Sequence, residues 1–229
     1  MQILFDNYCR GDSHASLWGF SAYLPRHKLL FDTGSNGRAL LKQIDAQGID
    51  LSQIAYLFIT HDHWDHIGGI DSILELNADL TLFLPETLSK NHIRDLRRLS
   101  KEVILIGREP MHLFGELYTT GLLGDSPPEQ SLLIAGKEAT LLTGCGHYGI
   151  AEIVAVAREL TGERIDRVMG GFHLLHTPEE GIRREIAALQ ALGVRQVVPT
   201  HCTGDSAVKL FAEAFDKGFV EGGIGEVLL

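Results

Sequence analysis

The sequence predicts an α/β domain of two layered sheets with helices outside. Three observations lead there. Short apolar runs of strand length alternate with longer stretches whose apolar residues recur at helical spacing. Glycine-rich phrases stand where several of those runs end and a helix would begin. The 229 residues fit one medium domain, residues 1–229, with room for a full core.

Residues 2–6, 17–24 and Lys28-Leu29-Leu30-Phe31 read as the first strands. The loop Arg10-Gly11-Asp12-Ser13-His14 lies between the first two, with His14 read as a surface residue. Asp32-Thr33-Gly34 closes the third strand. Residues 37–47 follow as a helix, with Leu40, Leu41 and Ile44 on one face and Gly48 as its stop. A buried strand is expected over 54–59. A helix from Ile67 to Leu76 should turn Ile70, Ile73, Leu74 and Leu76 inward. Thr81–Leu84 is a strand ended by Pro85, and 86–99 is mixed helix. Arg94, Arg97, Arg98 and Lys101 form a basic cluster read as a solvated face.

Val103–Ile106 is the next strand, followed by short ones near Met111–Phe114 and Glu116–Thr119. The glycines and prolines of 121–130 mark a loop, either a cover over a site or a plain connection. Strands 131–135 and 138–143 lead to a helix from about Gly149, with Ile150, Ile153, Val154, Ala157 and Leu160 apolar. Ile165–Phe172 is a strand ending at His173. Thr177 is expected to cap the next helix, with Pro178 at its first position and Glu180 completing a capping box. Ile182, Ile186, Leu189 and Leu192 form that helix's inward stripe, and Gly193 ends it. Gln196–Pro199 is a strand presenting His201. Gly204-Asp205 opens a helix with Ala207, Leu210, Phe211 and Ala214 inward, and 219–229 adds an edge strand.

The chemistry concentrates in Thr60-His61-Asp62-His63-Trp64-Asp65-His66, directly after the strand 54–59. His61 and His63 are two residues apart, so extended backbone puts both imidazoles on one side. Asp65 and His66 come after the chain has begun to turn and can face a second, adjacent point. One short loop could thus serve two neighbouring metal ions. Imidazole and carboxylate suit zinc, and also iron or manganese.

His61-x-His63-x-Asp65-His66 after a hydrophobic strand resembles the HxHxDH motif of the metallo-β-lactamase fold superfamily. Phe31-Asp32-Thr33-Gly34 and Gly68-Gly69 strengthen the resemblance. The phrases Thr143-Gly144-Cys145-Gly146-His147, Gly170-Gly171-Phe172-His173-Leu174 and Pro199-Thr200-His201-Cys202-Thr203-Gly204 are similar to the branch named for 7,8-dihydropterin-6-methyl-4-(β-D-ribofuranosyl)aminobenzene-5'-phosphate synthase. The likeness runs from about residue 17 to about residue 204.

The resemblance implies a four-layer αββα sandwich. It implies His61, His63 and His147 around one metal and Asp65, His66 and His201 around another, with Asp32 as a buried support for the metal loop. The superfamily's bridging aspartate has no counterpart here, because Gly170-Gly171-Phe172-His173 carries histidine instead. His173 is therefore read as a site residue, either a ligand, a proton donor or a stabiliser of substrate charge. Cys145 and Cys202 flank the ligands and are read as small buried packing residues. His176 is read as a surface residue.

Two divalent metals, zinc first, would lower the pKa of bound water so that hydroxide exists at neutral pH. Asp65 could orient that hydroxide and His173 could protonate the leaving group. The leading expectation is a metal-dependent hydrolase acting on a small, anionic phosphorylated, phosphodiester, ester or lactone metabolite. The alternatives are an iron-dependent oxidoreductase of sulfur-dioxygenase type and a non-catalytic, metal-stabilised ligand-binding protein.

Composition narrows the partners. Net charge is −10 with no long basic run, so no nucleic-acid footprint is expected. No window approaches 18 consecutive apolar residues, and MQILFDNYCR has neither the basic start nor the apolar core of a signal peptide. Three widely spaced cysteines, Cys9, Cys145 and Cys202, point to a reducing, cytoplasmic setting. A homo-oligomer is left open.

Overall fold

The computed structural model describes residues 1–9 and 16–226; most of the loop at 10–14, His14 included, lies outside them. The chain divides into two compact units, Met1–Ile106 with Gly223–Leu229, and Gly107–Gly222. The first contains β1 (Gln2–Phe5), β2 (Ser21–Leu24), β3 (Leu29–Phe31), α1 (Gly37–Ala46), β4 (Tyr56–Phe58), α2 (Trp64–Ile67), α3 (Ile70–Leu76), β5 (Thr81–Pro85), α4 (Lys90–Leu99) and β6 (Glu102–Ile106). The second contains β7 (Met111–Phe114), β8 (Leu117–Thr119), β9 (Leu132–Ile134), β10 (Ala139–Thr143), α5 (Ile150–Thr161), β11 (Ile165–Gly171), α6 (Glu179–Ala191), β12 (Gln196–Thr200) and α7 (Asp205–Phe215). The chain then returns to the first unit as β13 (Gly225–Glu226).

The fold class is α/β, two mixed sheets with flanking helices. In the first unit the strand order is β13-β1-β2-β3-β4-β5-β6. The pairs among β1, β2 and β3 are antiparallel, and those from β3 to β6 are parallel. In the second unit the order is β12-β11-β10-β9-β8-β7, with β7 to β10 antiparallel and β10 to β12 parallel. Each unit is thus an antiparallel meander that passes into parallel strands joined by helices.

Helical periodicity explains the packing. In α1 the Asn36 side chain accepts from the Ala39 N–H at 3.0 Å and fixes the start. Leu40 and Ile44 then face Leu57, Ile73 and Leu82 in the first unit's core. In the second unit Ile153, Val154 and Ala157 of α5, Ile182, Ile186 and Leu189 of α6 and Phe211 of α7 join Leu141, Val168 and Val197 of the sheet. Burying each large aliphatic side chain contributes roughly 1.5–3 kcal/mol.

Several expected details differ. The helix over 67–76 is two pieces, and the first begins earlier, at Trp64. The break falls at Gly68-Gly69 because their N–H groups are diverted to the Gly34 carbonyl (2.8 Å) and the Thr33 hydroxyl (3.1 Å). Leu76 is 63% exposed, off the face that Ile70, Ile73 and Leu74 turn inward. Ala214 is exposed as well. No capping box forms at α6: Pro178 itself is the N-cap, in extended conformation, which leaves Thr177 one residue too early. Glu179 and Glu180 instead pair with Arg183 and Arg184 one turn on. The basic cluster near α4 is solvent-facing, with Arg94 on Asp95 and Lys101 on Asp79. Among the described residues no helix is long and apolar enough to cross a membrane.

Candidate metal centre

The candidate residues follow the C-terminal ends of parallel strands, where open α/β sheets place ligands. In the first unit β3 runs into Asp32, and β4 into Thr60 and His61. Asp32 is fully buried with a left-handed backbone, φ 51°. Its Oδ1 accepts the Thr60 N–H at 2.8 Å. Its Oδ2 accepts the Thr60 hydroxyl at 2.9 Å and faces His66 Nδ1 at 2.7 Å. The Thr60 hydroxyl oxygen is also 2.8 Å from His61 Nδ1. With Nδ1 held against acceptors, both imidazoles leave Nε2 for a metal. Burial pushes the Asp32 carboxyl above its ordinary range, and His66 and Thr60 pull it only part of the way back.

The next phrase holds the loop from behind. The Thr33 N–H and hydroxyl both donate to the His66 carbonyl, at 2.7 and 2.9 Å. The Phe20 N–H donates to the Asp65 carbonyl at 3.2 Å. These bonds set α2 so that His61 lies 4.6 Å from the His63 ring and 4.2 Å from the His66 ring, between centroids. Asp65 Oδ2 and His66 Nε2 are 3.9 Å apart.

In the second unit the organiser is Glu129, 2% exposed. Its Oε1 accepts the N–H groups of Gly144, Cys145 and Gly146 at 3.1, 2.8 and 3.0 Å. Its Oε2 accepts the His147 N–H at 3.0 Å and faces His147 Nδ1 at 2.6 Å. The loop 121–130 is therefore more than a plain connection, since it carries the carboxylate that shapes the His147 turn. Sequence reasoning missed this role; the only signal was an acidic residue at the start of an apolar strand.

His173 and His201 follow β11 and β12, with φ of 52° and 49°. Side chains rarely adopt this conformation, and each such residue costs of order 1–3 kcal/mol. The His147 and His173 rings are 4.5 Å apart. Cys145 and Cys202 are both buried, as a packing role requires, but they also make polar contacts. Cys145 Sγ is 3.4 Å from His201 Nε2, and the Cys202 thiol donates to the Cys145 carbonyl at 3.4 Å. Burial pushes the Cys202 thiol up, yet hydrogen bonds with the Cys145 thiol and the ring and backbone of His173 outweigh it and bring it down to about 6. His173 is raised, chiefly by its bond to Cys202, against the effect of burial. His176 is exposed.

The donor chemistry fits divalent transition metals. Imidazoles crowd together with their Nδ1 atoms held, and carboxylates are close by.

A family model described as the metallo-beta-lactamase superfamily matches residues 22–81, which include the histidine loop. The solved structure of Tm1679, described as a metal-dependent hydrolase of the beta-lactamase superfamily, aligns over 100% of this chain and 97% of its own, with TM-score 0.83 and 27% identity. The chain has the metallo-β-lactamase fold, and its histidine loop lies in the segment that matches the superfamily model. Another metallo-β-lactamase fold protein, YhfI from Bacillus subtilis, shares the fold at TM-score 0.72 and 14% identity, over 100% of this chain and 98% of its own. The 7,8-dihydropterin-6-methyl-4-(beta-D-ribofuranosyl)-aminobenzene-5'-phosphate synthase of Methanocaldococcus jannaschii is 26% identical, over 89% of this chain and 84% of that protein. The chain thus shares the fold of a protein described as a metal-dependent hydrolase and carries candidate metal-binding residues.

Proposed function

We propose that this chain is a hydrolase that uses two divalent metal ions, zinc first, on a small anionic phosphorylated, phosphodiester, ester or lactone metabolite. In this reading His61, His63 and His147 hold one ion, and Asp65, His66 and His201 hold the other. The observation that carries it is the set of buried acceptors behind three imidazoles. Thr60, Asp32 and Glu129 hold Nδ1 of His61, His66 and His147 at 2.8, 2.7 and 2.6 Å. Such partners orient imidazoles for metal binding, and a core with no metal to bind has no use for three of them.

When bound, the metal pair supplies Lewis acidity and makes water nucleophilic at neutral pH. Asp65 orients the attacking water with its carboxylate. His173, beside His147, gives a proton to the leaving oxygen. The phosphate in the name of the Methanocaldococcus jannaschii relative agrees with a phosphorylated substrate.

Elemental analysis with a screen of bis-phosphodiesters and lactones tests the reading. Two metals per chain are expected, with activity falling at least 100-fold in Asp65→Ala and about 10²–10⁴-fold in His173→Ala. Undiminished turnover in Asp65→Ala removes the mechanism.

A further inference from the structure

Within the second unit, two groups of three candidate ligands lie with their donor atoms inside 4.8 Å of one another, among the described residues: Cys145, His147 and His173, and Cys145, His201 and Cys202. The groups share Cys145. Its Sγ is 3.4 Å from His201 Nε2. Two donors on one tetrahedral zinc, with bonds of about 2.3 Å to sulfur and about 2.0 Å to nitrogen, stand about 3.5 Å apart. The pair is already at the spacing that a shared metal requires. Gly171 makes the room. A Cβ there would come within 2.7 Å of Cys202 Sγ and 3.0 Å of the Cys145 Cα. Glu129 fixes the Cys145 backbone through its N–H. The sequence phrase at 170–173 lacks the aspartate that would bridge two metals, and a thiolate, like a carboxylate, can bridge two cations.

We propose that Cys145 is a metal ligand that bridges the two ions as a thiolate, one ion shared with His147 and the other with His201 and Cys202. The inference rests on the two-metal reading above. It adds that the site prefers soft or borderline ions, zinc, iron or cobalt, over magnesium and calcium. Each metal-binding thiol gives up its proton on loading, so binding releases protons.

The test is a cobalt(II) titration of the metal-free whole chain, followed by near-ultraviolet thiolate-to-cobalt charge-transfer absorption, with bound cobalt counted separately. In Cys9→Ser/Cys202→Ser, Cys145 is the remaining cysteine of the three. There the band is expected to grow through two equivalents, and to vanish when Cys145→Ser is added, with far-UV circular dichroism reporting that the variants are folded. A band that saturates at one equivalent while two ions bind overturns the bridge. Two bound ions with no band, in the variant or the wild type, overturn thiolate ligation and leave the two-metal reading standing. No bound cobalt in the wild type overturns both. Should the variants fail to fold, the wild-type titration still decides whether a thiolate binds.

Discussion

Glu129 shows how much one buried carboxylate can organise. Four backbone N–H groups and one imidazole converge on it, and removing it leaves those donors buried without an acceptor. Glu129→Ala is expected to destabilise the fold by about 3 kcal/mol or more, read from urea unfolding. Where the variant folds, it should also bind zinc about 10–100-fold more weakly in a chelator competition; unchanged zinc affinity would mean that His147 does not need this partner. Asp32 is the corresponding residue of the first unit, and its role was expected because the resemblance implies it. Glu129 was not legible, since nothing local distinguishes it from an exposed loop glutamate.

At the scale of elements, the strand ends and helix starts hold the candidate ligands, and glycine sets how closely they approach. Gly69 has ordinary helical backbone, yet a Cβ on it would lie 2.6 Å from the Thr33 carbonyl oxygen. Gly69→Ala should therefore cost about 1–3 kcal/mol by overpacking alone, measured as a lower urea midpoint with an unchanged slope. Helix α5 gives a pH-dependent case. Glu185 of α6 accepts from the Ala151 N–H at 3.3 Å. Burial raises its pKa above 4.5, the Ala151 bond lowers it, and Glu152 raises it further, for a net rise. For an acid whose folded pKa lies above the unfolded one, the folded state binds the proton more tightly. Stability therefore falls as pH rises from the unfolded pKa through the folded one. Glu185→Gln removes that loss, so its melting temperature should exceed wild type at pH 7, with the gain shrinking as pH falls through the folded pKa towards about 4.5 and absent below it. A gain that persists in acid would point to another cause.

At the scale of the whole molecule, the proposed metals should be coupled to the fold. Ions that bind the native chain stabilise it by mass action, about 2.7 kcal/mol at a hundredfold excess over the dissociation constant. A chelator should lower the melting temperature and zinc should restore it, in calorimetry at fixed protein concentration. The strained backbones at Asp32, His173 and His201 suggest where metal-free protein loosens first. Hydrogen exchange should show faster exchange near these residues without zinc than with it.

The order of strands and helices, the α/β class and the histidine loop were all legible in the residues, because periodicity and close spacing are local properties. Helix α1, the stripe of α6 and the phrases around His147, His173 and His201 needed no coordinates. The missed details have non-local causes. The break at Gly68-Gly69 is set by Gly34 and Thr33, thirty-odd residues earlier, and the His147 turn by Glu129. Whether a buried donor finds an acceptor depends on what the chain brings back to it. The residue types and spacing of the histidine loop, with the resemblance they carry, thus named the candidate ligands. The tertiary structure decided what holds each imidazole, and which thiol lies at metal-sharing distance from His201.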